Sequence, residues 1–427
     1  MQSTQIQAHS RLLPWLIVLT ASTFFFYDFI QLNLFNSIAM QLMQTFNLNA
    51  IKLGNLSSLF FYADALFLIP AGILLDRFST KKLLLVAAAC STLGTFTLAI
   101  APTYIIAAGA RFLVGAGGAF CFLGSVRLAS RWFPPNKMAL VTGIIVAQAM
   151  LGGLVAQTPM TVLSHVVGWR YAVLMDAGMG FLIFLAILFI VRDYPAHSSA
   201  AIKANKTQID SLGFWYSIKA VILNPYNWFC GIYASLLNLP VFLLGALWGI
   251  HYLVQVHHLT LVQASIPPTL FFIGTILGAP AFGWFSDKIG RRILPLIIGA
   301  FLSLLVMLAL MLIPHLSFVA IISLFFLMGL VICSQVIIYP LVTELNPPSL
   351  TATALGFAST IIMCSGAIFQ PLFGWAMEWR ADHAIIDGVT HYSSTDFLYA
   401  MSIMPIAFLF GLLIAIMIRE TYCDNYL

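Results

Sequence analysis

The chain has 427 residues, is 61% hydrophobic and only 8% charged, and carries a formal net charge of +5. A soluble domain has about a quarter of its residues charged, so the composition excludes an ordinary globular protein, and the dispersal of its basic residues into short loops excludes a nucleic-acid surface. The six cysteines (Cys90, Cys121, Cys230, Cys333, Cys364 and Cys423) fall singly with no C-x-x-C pair, so neither a disulfide framework nor a thiolate metal site is expected, and no cofactor.

Twelve apolar stretches, each near the ~20 residues that a bilayer crossing requires, predict membrane helices. They run over 13–37, 52–75, 83–101, 103–129, 138–164, 171–191, 226–255, 262–285, 293–313, 316–343, 350–378 and 395–418. The first lacks a cleavage-site pattern and is too long for the apolar part of a signal peptide, so it is expected to be retained. The one long polar stretch, Asp193 to Pro225, reads as a linker with a short surface helix around Ser211–Ile222. The expected organisation is a six-helix bundle over 1–192, a linker over 193–225 and a second six-helix bundle over 226–427: an all-α integral membrane protein of two pseudo-symmetric halves.

Basic residues set the expected orientation. With the N-terminus inside, the inner side holds Arg11, Arg77, Lys81, Lys82, Arg131, Lys137, Arg192, Lys203, Lys206, Lys219, Lys288, Arg291, Arg292 and Arg419. The outer side holds only Lys52, Arg170 and Arg380. This positive-inside bias predicts cytoplasmic termini in a plasma membrane. It also leaves no room for a soluble catalytic domain on either face.

The two halves repeat. Gly72 to Lys82, with Asp76, Arg77 and Lys81, recurs as Gly283 to Arg292, with Asp287, Lys288 and Arg291; the two aspartates are 211 residues apart. Ser130-Arg131-Trp132-Phe133-Pro134-Pro135 before Gly143 corresponds to Thr343-Glu344-Leu345-Asn346-Pro347-Pro348 before Gly356, at a spacing of 213 between the glycines. Duplicated helical units of this kind build carriers with a central, alternately exposed site.

On these residues the chain resembles the major facilitator superfamily over essentially its whole length. The family's loop signature between helices 2 and 3 is matched by Gly72, Asp76, Arg77, Lys81 and Lys82, although Ser79 stands where the family has glycine. The second copy matches at Gly283, Asp287, Lys288, Gly290, Arg291 and Arg292. In helix 4, Arg111-Phe112-Leu113-Val114-Gly115-Ala116-Gly117-Gly118 resembles the family's arginine and glycine run. The resemblance implies a twelve-helix carrier that works as a monomer in the lipid bilayer.

Acids and bases at a membrane edge pair with helix ends and with each other, so Gly72, Asp76, Arg77, Lys81, Arg131, Gly283, Asp287, Lys288, Arg291, Arg292 and Glu344 are expected to form a cytoplasmic gate. Glu344 is the expected partner of Arg291 or Arg292, and Asp76 of Arg127 or Arg131. The bland alternative is solvated loop charge.

Inside the spans charge is costly and faces a cavity or another charge. Asp28 in helix 1, Asp64 in helix 2 and Arg111 in helix 4 stand out, all in the N-terminal half. The two carboxylates are candidates for proton coupling. Arg111 either holds a substrate carboxylate or neutralises Asp28 or Asp64, and the sequence leaves both open. Tyr27, Gln31, Gln148, Asn238, Trp248, Gln335, Tyr339 and Gln370 complete the expected substrate site, with Asn33, Gln157, His251 and Trp375 as further polar or aromatic positions. Amides in apolar helices also serve as glue between helices.

The expected function is secondary active transport of a small polar organic solute, such as an amino acid, nucleoside or similar nutrient, driven by protons. Phe60 to Asp64, Ile69 to Gly72 and Trp132 to Pro135 resemble bacterial nutrient-uptake members, including the phagosomal-transporter-like group. Export of a drug or siderophore is the alternative, weakened because Gly143 to Gly153 lacks the proline of the multidrug antiporters' helix 5. A membrane-embedded enzyme or receptor is a third class, but no cluster of His, Asp and Glu supports an enzyme.

Overall fold

The computed structural model describes residues 2–134, 137–194, 214–347, 350–379, 384–386 and 389–423, with the side chains of 2–11, 76–77, 139, 214–217, 352, 384–386 and 389–390 outside the description. Twelve helices are long and apolar enough to cross a membrane. In the first half they are TM1 (Leu12–Phe46), TM2 (Ala50–Leu75), TM3 (Thr80–Ile100), TM4 (Tyr104–Trp132), TM5 (Leu140–Val167) and TM6 (Trp169–Ile190). In the second they are TM7 (Pro225–His257), TM8 (Leu261–Ile289), TM9 (Ile293–Leu312), TM10 (Phe318–Glu344), TM11 (Thr353–Met377) and TM12 (Ser394–Met417). The protein is an all-α integral membrane protein. Its one described β element is a two-stranded antiparallel ribbon, Ala384–Ile386 with Val389–His391, in the TM11–TM12 connection.

TM1 runs well past its predicted end at 37. Its polar positions do not terminate it because they are matched by partners on TM5 and TM7, as described below. The predicted linker lies mostly outside the described residues, but the surface helix expected within it is present as Phe214–Leu223.

Several spans change character midway. TM4 bends at Ala119-Phe120, after three glycines, and TM5 breaks between Val155 and Thr158. TM7 is π-helical over Val241–Trp248, and TM10 passes through a 3-10 turn at Cys333–Ile337. Interruptions of this sort in a bilayer are tolerated where neighbouring helices satisfy the freed backbone groups.

The duplication is visible in packing. Phe60 and Phe61 on TM2 meet edge-to-face with centroids 5.3 Å apart, and Phe271 and Phe272 on TM8 do so at 5.4 Å. Gly115 of TM4 sits against the Phe60 backbone and Gly329 of TM10 against the Phe271 backbone, so close that a Cβ would collide. Between the halves, Phe61 fills the space over Gly366 of TM11 and Phe272 that over Gly153 of TM5. TM1 packs on TM7, TM2 on TM11 and TM5 on TM8, whereas TM3, TM6, TM9 and TM12 pack on helices of their own half. Large apolar side chains such as Val86, Phe189, Leu305 and Leu413 are exposed on those four, as a hydrocarbon solvent requires.

The end carrying the TM2–TM3, TM4–TM5, TM8–TM9 and TM10–TM11 connections is called the basic end below, and the opposite one the distal end.

Candidate functional site

Among the described residues, the interior of the first half holds three acids and one arginine. Asp28, Asp64, Arg111 and Asp176 are all buried, and Arg111 has no exposed surface. Asp28 lies against Gly118, where any Cβ would displace its carboxylate. TM1, TM2 and TM4, which carry Asp28, Asp64 and Arg111, pack on one another. Among the described residues, however, no ion pair within 4 Å joins Arg111 to either carboxylate. Instead Arg111 Nη1 donates to the Gln31 main-chain carbonyl at 2.6 Å, while Nε and Nη2 have no partner. Its guanidinium carbon lies 4.2 Å from the Phe35 ring centroid and 4.8 Å from that of Phe60. Two aromatic faces thus hold the cation in place.

Tyr27 and Gln31 belong to a polar chain behind TM1. The Tyr27 hydroxyl donates to Thr95 Oγ1 at 3.0 Å, Thr95 donates to Gln31 Oε1 at 3.1 Å, and Gln31 Nε2 donates to Asp176 Oδ2. Asp176, on TM6, was not among the expected charges, although it lies within the predicted sixth span. The sequence statement that three buried charges populate this half is corrected to four.

Amides surround TM7, two of them reaching it from the first half and one from its own half. Asn36 Nδ2 on TM1 donates to Leu244 O at 3.0 Å, and Asn36 Oδ1 accepts from Ile250 N at 3.0 Å. Gln157 Nε2 on TM5 donates to Gly245 O at 2.9 Å, and Gln370 Nε2 on TM11 donates to Phe242 O at 2.8 Å. These three side chains satisfy carbonyls of the π-helical stretch of TM7. Gln370, expected to line a substrate site, is fully buried in this role. Trp248 is likewise buried, its ring 5.6 Å from Phe373 and nearly parallel to it.

The remaining expected contacts are more open. Asn238 and Gln335 bond each other reciprocally and are half-buried. Gln148 is half-buried and accepts from Ser22 at 2.6 Å, and Tyr339 is exposed. At the distal end the halves are tied by hydrogen bonds from Asn49 Nδ2 to Glu378 Oε2 (3.0 Å) and from Ala50 N to Glu378 Oε1 (2.9 Å) and the Tyr392 hydroxyl (2.8 Å). A carboxylate of the second half thereby caps the N-terminus of TM2. Thr158 on TM5 adds a bond to Ser265 O at 3.1 Å. Among the described residues, no hydrogen bond or ion pair joins the halves at the basic end.

The loop charges organise each half separately. In the second half Arg292 Nη2 meets Glu344 Oε1 at 2.7 Å and Nη1 meets Asp287 Oδ1 at 2.6 Å. Burial pulls the Arg292 guanidinium down, but its hydrogen bonds to Glu344 and Asp287 prevail and hold it well above its ordinary range. Of the two expected partners of Glu344, Arg292 makes the contact and Arg291 is exposed. Lys288 lies over the Trp284 ring at 4.6 Å. In the first half Arg131 Nη1 lies 3.4 Å from Asp193 Oδ1, which also accepts from Lys81 N at 2.9 Å. The side chains of Asp76 and Arg77 lie outside the described residues. Gly72 and Gly283 face open space.

Two acids outside the repeated motif complete these clusters. Asp193, after TM6, holds the start of TM3; Glu420, after TM12, accepts from Arg292 N at 2.8 Å and Ile293 N at 2.9 Å at the start of TM9. Each follows an arginine, Arg192 or Arg419, which was the available signal. It went unread because their spacing departs from that of the other repeats.

A family model described as Major Facilitator Superfamily matches residues 19–371 and 241–419. The chain belongs to the Major Facilitator Superfamily. Among solved structures it is similar to a bacterial homologue of the human lysosomal transporter Spinster, with a TM-score of 0.72, 17% identity, and coverage of 94% of this chain and 97% of that one. Among curated relatives, the "Probable galactarate/D-glucarate transporter GudP" of Escherichia coli (strain K12) is 25% identical over 62% of this chain and 65% of its own length. The "Hexuronate transporter" of Bacillus subtilis (strain 168) is 25% identical over 60% of each. The "Nitrite extrusion protein" of the same organism is 24% identical over 60% of this chain and 61% of its own length. The matched part therefore spans just under two thirds of these relatives.

Proposed function

We propose that the chain is a secondary active carrier that moves a small organic acid across the bacterial inner membrane by alternating access, with both termini cytoplasmic. The observation that carries this reading is Arg111, a fully buried guanidinium with two unpartnered nitrogens in the half that also holds Asp28 and Asp64. A carboxylate is the ligand that a planar fork of donors matches. The names of the relatives, which point to sugar acids and other anions, support an acid over the amino acid or nucleoside expected from sequence.

In this reading the bundles 1–192 and 226–427, joined by the linker 193–225, rock about a site near the midplane, and one copy of the chain suffices. Arg111 binds the substrate acid and Asp28 and Asp64 take up and release the driving protons. Gln148, Asn238, Gln335 and Tyr339 line the approach. The described cross-half bonds lie between the midplane and the distal end, so these are the contacts that must part for the carrier to open outward. The loop clusters of Asp287, Arg292 and Glu344 and of Lys81, Arg131 and Asp193 keep each half rigid while it moves, with Asp76 and Arg77 as their counterparts in the first loop.

The test is uptake of labelled D-glucarate, D-galacturonate and an amino acid into proteoliposomes under an imposed proton gradient. The acids should accumulate and the amino acid should not. Arg111→Lys should weaken acid binding by about tenfold or more while leaving the folded yield intact. Asp28→Asn or Asp64→Asn should abolish accumulation and spare downhill exchange. If Arg111→Lys binds the acid as the native protein does, Arg111 is a counter-ion and the carboxylate reading fails.

A further inference from the structure

Among the described residues, Asp176 is the one buried acid of the first half to which neither the loop clusters nor the proposed carrier gives a role. It lies about 10 Å into TM6 from the distal end, by the 1.5 Å rise of an α-helix, and TM6 packs on TM1 and TM3 of its own half. Its position is therefore behind TM1.

Its surroundings are neutral. Oδ2 accepts from Gln31 Nε2, and Oδ1 is buried with no partner. The ionisable groups on the surrounding elements include Tyr27 and Asp28 on TM1, Cys90 on TM3, Arg111 on TM4, His165 on TM5 and Arg170 on TM6 itself. Of the cations, Arg111 lies between Phe35 and Phe60 and gives its hydrogen bond to the Gln31 carbonyl, and Arg170 donates to Ala99 O at 2.9 Å and stacks on Trp169. None forms an ion pair with Asp176 among the described residues. A carboxylate with a single neutral donor in hydrocarbon surroundings is costly.

We propose that Asp176 is a proton-binding site inside the first bundle, behind TM1, and that Gln31 transmits its protonation state to Arg111. The hydrogen-bond chain has two consistent polarities. With Asp176 ionised, Gln31 gives Nε2 to Asp176 and Oε1 to Thr95. With a proton on Oδ2, the Gln31 amide turns over: Oε1 accepts from the acid, Nε2 faces Thr95 Oγ1, and the Thr95 hydroxyl turns its one hydrogen from Gln31 to Ser91 O, 2.9 Å away. No group is orphaned by the exchange. Arg111 is linked to it through Gln31, whose side chain holds Asp176 and whose main-chain carbonyl holds Arg111 Nη1, so a shift of TM1 at this residue moves both. The site extends the carrier reading without resting on it.

The experiment is infrared spectroscopy of the full chain in liposomes, without substrate or gradient, from mildly acid to alkaline pH. The native protein should show a carboxylic-acid carbonyl component that titrates away and that Asp176→Asn lacks. Gln31→Leu, which leaves the acid without its donor, should move the midpoint of that component to higher pH. Arg111→Lys should move it too. A spectrum of Asp176→Asn identical to the native one at every pH overturns the proton site. Should that variant not fold, an unmoved midpoint in Gln31→Leu overturns it instead. An unmoved midpoint in Arg111→Lys alone overturns the link to Arg111. Because transport is not measured, the carrier reading stands or falls separately.

Discussion

The two halves share a skeleton and differ in what they bury. Phe60, Phe61 and Gly115 have their counterparts in Phe271, Phe272 and Gly329, and Gly153 and Gly366 each receive a phenylalanine ring from the opposite half. Yet where the first half has Asp64, the matching position of the second is Thr275, and where it has Arg111 the second has Phe325, both buried. The second half places its strongest charges at the basic end, in the Asp287–Arg292–Glu344 cluster. Helix contacts demand shape from both copies, whereas buried charge costs several kcal/mol and is retained where something uses it. The contrast points to the first half as the chemically active one.

The harshest way to break that contrast is to graft a cation where the second half has an aromatic ring. Phe325→Arg should cost roughly 3 to 5 kcal/mol, an uncompensated buried charge, and should all but abolish recovery of folded protein from detergent. If Phe325→Arg is recovered and melts like the native chain, the second half has an acid able to pair with it and the contrast is wrong. Next in size, Glu344→Gln should destabilise the protein by about 3 kcal/mol by leaving Arg292 short of its main partner. Asp193→Asn, which can still accept from Lys81 N, should cost only about 1 kcal/mol. Thermal melts of both variants sharpen the difference between the basic-end clusters, and equal losses would erase it.

The shared skeleton has its own test. Gly153→Val and Gly366→Val each crowd a phenylalanine ring and should each cost about 2 kcal/mol. Unequal losses would mean that the two crossings are not equivalent. The smallest expected effects concern the loop motif. Ser79→Ala and Gly290→Ala should each cost about 1 kcal/mol, for different reasons. Ser79 has an ordinary φ of −61° and caps TM3 through Lys82 N, whereas Gly290 ends TM8 in the left-handed region at φ 65°. That accounts for the serine in the first copy. Its loop turns without a left-handed residue, and its hydroxyl binds Asp193 as well.

Much of this architecture was legible in the chain. The number of spans, the repeat and the family followed from apolar run lengths and from motifs at one period, which are properties of consecutive residues. The candidate site was legible only as an inventory. Asp28, Asp64 and Arg111 were visible as charges out of place, but their lack of an ion pair was not, because a helix can turn an arginine towards an acid or an aromatic ring with no change in its neighbours in sequence. Asp176 is the lone acid of the predicted span 171–191, and no other charged or amide side chain in that span marks which face is buried. Asn36 passed unnoticed beside Gln31 and Asn33.

What the sequence by itself determined was a duplicated, membrane-embedded, twelve-helix chain of the major facilitator kind, because hydrophobicity and periodicity are local and additive. What the tertiary structure decided was the assignment of partners. Asn36, Gln157 and Gln370 converge on the carbonyls of a π-helical segment that begins 205 residues after the first of them, and Glu378 caps a helix that starts 328 residues before it. In a bilayer every freed backbone group must find a donor or acceptor within the protein. Which one it finds depends on the rotation and tilt of whole helices against each other, and that is settled only when the two halves meet.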